Sequence, residues 1–177
     1  MRTVVLGPVP RPLAEEIERR RATGADLYDE IWEGEYHMAP APHPIHGRLD
    51  SQLTVLLWPL AEQAGLVMTS PFNLGEPDDY RVPDRGLLRG AVDETWVPTA
   101  ALVIEVVSPD DESWEKLDFY ARRGVEEVVV VDPSVRSVAW MALVGGAYQP
   151  VDHSAVLAVD VDEVARRIEW PSNPGRS

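Results

Sequence analysis

Leu102-Val103-Ile104-Glu105-Val106-Val107-Ser108-Pro109 is an apolar run with a single acid in its middle. From Ala100 to Val107 the stretch is nearly continuous and rich in β-branched residues, the pattern of a strand buried on both faces. Burying the Glu105 carboxylate in such a strand is costly unless a cation stands opposite it. Glu127 to Val131 reads as a second buried strand. Between the two, Asp110 to Glu112 supply N-cap and first-turn acids for a helix whose apolar stripe is Trp114, Leu117, Tyr120 and Ala121, and Gly124 ends it. Strand, helix and strand with a short return make a crossover unit, so the two strands are expected to be parallel neighbours.

Upstream, Arg81-Val82-Pro83-Asp84 sets a second acid at the opening of another apolar stretch. Something cationic should face Asp84 and Glu105, and the natural candidates are a hard divalent ion such as Mg²⁺ or Mn²⁺ and the ammonium of Lys116. Further back, Leu66 to Thr69 and Phe72 to Gly75 read as short strands, with Glu76 to Asp79 as a surface loop. Leu49, Leu53, Leu56, Leu57 and Leu60 follow helical spacing from His46 to Gly65, with Pro59 tightening the last turn. Leu27 to Trp32 and Glu35 to Met38 flank Glu33-Gly34 as a β-hairpin, and Leu13 to Ala22 is a first helix stopped by Gly24. Downstream, Val135 to Leu143 and Ala147 to Val151 form a hairpin across Gly145-Gly146, and Asp160 to Ile168 is a closing helix.

The 177 residues suit one domain with a full hydrophobic core. Residues 1–11 are expected to be a flexible arm, 12–170 the single domain, and 171–177 a disordered tail. With no cysteine there is neither a disulfide framework nor a thiolate site. Nothing at the amino terminus reads as a signal peptide and no apolar stretch approaches a membrane span, so a cytoplasmic, membrane-free protein is expected. Thirty acids against sixteen basic residues give a net charge of -14, which runs against binding a phosphate backbone. The short basic runs Arg19-Arg20-Arg21, Arg122-Arg123 and Arg166-Arg167 read as solvated helix faces.

Taken together, Val82-Pro83-Asp84, Ile104-Glu105-Val106-Val107-Ser108-Pro109, Lys116 four residues before Tyr120, Gly124-Val125-Glu126-Glu127 and Val131-Asp132-Pro133 resemble the putative restriction endonuclease family of the PD-(D/E)-x-K nuclease superfamily. Gly34-Glu35, Met38-Ala39-Pro40 and His46 fit the same family in the same order, and the resemblance spans roughly residues 26 to 152. The superfamily sets its lysine two residues after the second acid, where this chain has Val107. The narrower family moves it to the following helix, which here is Lys116. The resemblance implies an α/β fold, a restriction-endonuclease-like central mixed β-sheet flanked by α-helices, with the acids gathered at one edge of the sheet.

It also implies a Mg²⁺- or Mn²⁺-dependent endonuclease acting on DNA. Asp84 and Glu105 would hold the metal and, with Lys116, be catalytic; Glu35, His46 and Tyr120 would support them. Two carboxylates and an ammonium suit phosphodiester cleavage, since a held cation offsets developing charge and acidifies a bound water, while an ammonium can orient that water or stabilise the phosphate. The plainer readings pair the acids with Arg81 or Arg85, set Lys116 against Glu112 four residues earlier on an exposed helix face, leave Glu35 exposed on its hairpin, and pack Tyr120 in the core. A homodimer is a further expectation for an enzyme that cuts both strands. The competing functions are a non-catalytic nuclease-fold binding or assembly module, which the acidic balance favours, and a hydrolase of another small phosphoester.

Overall fold

Alternation along residues 102–106 sorts the core into two layers. The computed structural model describes residues 3–5, 11–39, 43–108 and 112–171. Its elements in order are β1 (Thr3–Val5), α1 (Arg11–Thr23), β2 (Glu30–Trp32), β3 (Glu35–Met38), α2 (Pro44–Gln63), β4 (Val67–Thr69), β5 (Asn73–Glu76), β6 (Asp79–Arg81), β7 (Arg85–Leu88) and β8 (Trp96–Val97). They continue with β9 (Leu102–Val106), α3 (Leu117–Arg122), β10 (Glu127–Asp132), β11 (Ser137–Val144), β12 (Ala147–Pro150), β13 (His153–Ser154), β14 (Val159–Asp160) and α4 (Val161–Arg167).

The strands build two six-stranded mixed sheets, ordered β1-β3-β2-β6-β5-β8 and β12-β11-β10-β9-β7-β4, plus the small pair β13-β14. β9 and β10 are parallel, with Glu105 opposite Val130, as the crossover spacing predicts. Leu102, Ile104 and Val106 of β9, with Val129 and Val131 of β10, face one core, where Leu49, Leu53, Leu57 and Ala61 of α2 and Val161 and Val164 of α4 cover them. Val103, Val128 and Val130 face the other core, which Phe119 and Tyr120 of α3 share with Leu74 of β5 and Val97 of β8. The expected α/β fold therefore stands, with a mixed sheet flanked by helices and a second six-stranded sheet beside it.

Two other expectations change. The helix expected after Glu105 is only the six residues of α3; residues 113–116 are turns, and Trp114 is 48% exposed instead of lying on an apolar stripe. With Trp114 facing solvent, residues 113–116 lack the packed apolar face that chiefly stabilises helices in proteins. Within the expected flexible arm, Thr3–Val5 form an edge strand paired with β3. The capping acids Asp110 and Asp111 and residues 172–177 lie outside the described residues.

What matters most for the site is the passage from β6 to β7. Val82-Pro83-Asp84 carries the chain from the first sheet to the second. Proline has no N–H to give to a ladder, which suits it to a corner between sheets. Asp84 thus stands at the junction, not within a strand.

Candidate active site

Glu105 shares the strand face of Val103, so it points toward α3, where the first sheet also reaches. It is 3% exposed. Its Oε1 accepts a short hydrogen bond from the Tyr120 hydroxyl and lies 3.2 Å from Lys116 Nζ. Lys116 is the N-cap residue of α3, held at the helix start by the chain path through residues 113–116. Its amine also lies 2.8 Å from Glu30 Oε1. It is the chain's one lysine, against fifteen arginines.

Asp84 reaches the same place from the corner. Its Oδ2 accepts from the backbone N–H of Val106, the residue after Glu105, at 2.7 Å, and lies 3.0 Å from His46 Nε2. One helical turn along α2, Asp50 holds Arg85 at 2.5 Å, so two side chains spaced i and i+4 grip the Asp84-Arg85 pair. Asp84 and Glu105 are therefore not paired with arginines: Arg85 goes to Asp50, and Arg81 goes to Asp79 and the Ile31 carbonyl. Nor does Lys116 lie exposed against Glu112, which instead lies 3.4 Å from His37 Nδ1.

Burial and the neighbouring carboxylates set the electrostatics. Burial pushes the Glu105 carboxyl up to about 8, with Lys116 opposing and the charges of Asp84 and Glu30 adding to the rise. Burial disfavours the Lys116 ammonium, yet Glu105 and Glu30 outweigh it and hold the amine charged. For His46, burial is likewise outweighed by the hydrogen bond and charge of Asp84, so its value is raised. Tyr120 is raised strongly, first by burial and then by the charge of Glu105, and stays a hydrogen-bond donor.

Of the residues singled out from sequence, Asp84, Glu105, Lys116, His46 and Tyr120 are brought together. Glu35 is not. It shares a face with Glu30, since β2 and β3 register Glu30 with His37 and Trp32 with Glu35, but it stands two positions nearer the hairpin turn and makes none of these contacts. The hairpin's acid at the cluster is Glu30, which sequence reasoning missed. One signal was available: Glu30 opens a β-strand yet is flanked by Asp29 and Ile31, an acid where a half-buried strand begins.

The oxygen donors suit a hard divalent ion. Asp84 accepts from the N–H of the residue after Glu105, so two carboxylates come together at one place in the fold, with Lys116 and His46 as the basic groups beside them. Among the described residues no three His, Asp or Glu side chains are arranged as a metal cage. Two protein carboxylates are nonetheless what Mg²⁺ commonly takes, because it keeps several of its waters.

A family profile described as "Putative restriction endonuclease", Uma2, matches residues 14–168. The chain belongs to the Uma2 family. Among solved structures, this Uma2 chain is similar to one described as a putative nuclease belonging to DUF820, from Anabaena variabilis ATCC 29413. The two share 14% identity with a TM-score of 0.65, over 78% of this chain and 90% of that one, a likeness of fold. No curated protein matches this Uma2 chain. Among the described residues no helix is long and apolar enough to cross a membrane.

Proposed function

We propose that this chain is a divalent-metal-dependent endonuclease that hydrolyses DNA phosphodiester bonds, with Asp84, Glu105 and Lys116 as its catalytic residues. Family and fold support a nuclease. The observation that carries the finer reading is the meeting of an acid from the inter-sheet corner, an acid from β9 and the chain's one lysine in a single buried cluster. Asp84 and Glu105 would hold Mg²⁺ or Mn²⁺, which when bound neutralises charge on the scissile phosphate and acidifies a coordinated water.

The chain's own groups do the rest. Lys116, kept charged, orients the attacking water or stabilises charge gathering on the phosphate. Tyr120 fixes Glu105 through its hydroxyl, and the backbone N–H of Val106 fixes Asp84. His46, 3.0 Å from Asp84, steadies that carboxylate and would be the group to meet a phosphate oxygen. Incubating purified protein with supercoiled, linear and single-stranded DNA plus Mg²⁺ or Mn²⁺ tests this. Wild type should cut in a metal-dependent way and Asp84→Ala should not; equal outcomes for the two would sink the proposal.

The acidic surface favours a second reading, a nuclease-fold binding or assembly module without turnover, whose partner supplies the nucleic-acid contacts. It expects no calorimetric heat on Mn²⁺ titration, where the nuclease reading expects saturable binding that Asp84→Ala weakens.

A further inference from the structure

Glu30 is engaged by three donors from three parts of the chain. Its Oε1 accepts from the Val82 N–H at 2.7 Å and lies 2.8 Å from Lys116 Nζ, and its Oε2 accepts from Trp32 Nε1 at 2.6 Å. The residue is 6% exposed, so little water competes for these bonds. Lys116 sits closer to Glu30 than to Glu105, which is 3.2 Å away. That difference matters because Glu105 has other claims on it: the Tyr120 hydroxyl and, on the nuclease reading, a cation. Once the charge of Glu105 is committed elsewhere, Glu30 is the carboxylate left to hold a buried ammonium that would otherwise stand unpaired. Its bond to Val82 falls two residues before Asp84, so one carboxylate ties down both the amine and the corner that presents the other acid. Trp32 in turn stacks on His37 with ring centroids 4.4 Å apart and carries the Arg81 guanidinium 4.2 Å over its ring, which fixes the strand that bears Glu30.

We infer that Glu30 is the positioning residue of this site, holding Lys116 and the Val82-Pro83-Asp84 corner in one fixed relation. Its kinetic consequence rests on the nuclease reading; its geometric consequence does not. Lys116 is the only lysine, so acylation by a water-soluble active ester, followed by peptide mass spectrometry with the α-amino group as internal reference, reads one side-chain amine. Glu30→Gln should speed Lys116 acylation by about tenfold or more by freeing the amine, and unchanged protection would overturn the inference. Should Glu30→Gln fail to fold, Glu30→Asp, which keeps the charge on a stem one carbon shorter, takes the same measurement and should give a smaller acceleration; full protection there would also overturn it.

Kinetically, Glu30→Gln should lower kcat by about 10- to 100-fold with KM within about threefold of wild type, the split expected when an interaction is lost in the transition state alone. An unchanged kcat would overturn its kinetic role. If wild type cuts nothing, the nuclease reading falls while the acylation result still decides on Glu30.

Discussion

Glu105 and Glu127 are buried acids on neighbouring parallel strands, and their partners give them different roles. Glu127 lies on the face of Val129 and Val131, toward α2 and α4, and takes four neutral donors: Trp140 Nε1 at 2.7 Å, Ser154 Oγ at 2.6 Å and the N–H groups of Ala155 and Val156 at 2.8 and 3.1 Å. It staples the 154–156 turn to the sheet. Glu127→Ala should cost about 3 kcal/mol or more by orphaning those donors, read as a lower denaturation midpoint, while cutting per folded molecule stays unchanged. Glu105 faces a cation and one hydroxyl on the other side of the sheet, so its removal should abolish metal-dependent cutting. Lys116→Met should lower cutting by about 100-fold or more and also destabilise by about 3 kcal/mol, because it leaves Glu30 and Glu105 buried without their cation. Measuring both quantities separates the two glutamates: the site variant loses activity beyond its loss of fold, and the structural variant does not.

Among the elements, the β5–β6 hairpin closely constrains α3. Gly75 has φ +128°, and a Cβ there would meet the Asp79 carbonyl oxygen at 2.4 Å and Phe119 of α3 at 3.0 Å. Gly75→Ala should therefore lose about 2 kcal/mol or more and displace α3, seen in thermal melts and in raised Lys116 acylation. At the edge of the second sheet, Tyr148 of β12 donates its hydroxyl to the Val125 carbonyl at 2.8 Å, and burial raises its value above the usual 10.0. The folded chain then keeps a proton that the unfolded chain has released, so stability falls as pH rises above about 10. Tyr148→Phe should lose about 1 kcal/mol at neutral pH and show a smaller drop in Tm between pH 9 and 11. These elements also mark what could be read in advance. α2, β9 and β10 carry their signal in their own apolar periodicity and appear as expected. α3 was overextended, because acids, Trp114 and Leu117 mimic a capped amphipathic helix that packing does not support. Glu30 was passed over for Glu35 because the hairpin's sequence locates its turn but not how far the hairpin slides across the neighbouring sheet.

At the scale of the molecule, charge is the governing quantity. The net -14 is accompanied by arginines tied to acids: Arg48 to Glu169, Arg89 to Glu126, Arg122 to Glu33 and Arg123 to Glu76. Among the described residues, few arginines outside such pairs are left to displace counterions from a duplex. Binding of Asp84→Ala to duplex DNA, followed by fluorescence anisotropy across a salt series, should give a log–log slope no steeper than about -2, the equivalent of two phosphate contacts. A steep slope would mean that a basic track is assembled by some other arrangement of the chain. The division into two sheets was the part of the architecture least legible in sequence, since Val82-Pro83-Asp84 reads as a strand entry until its neighbours reveal that β6 and β7 pair with different partners.

That corner makes the cluster a seam. Glu30 belongs to one sheet and Glu105 to the other, with Lys116 spanning the gap between them. A motion that parts the sheets by a few ångströms, with every strand ladder intact, would dismantle the chemistry before any secondary structure is lost, so inactivation on warming should precede the loss of the circular dichroism signal.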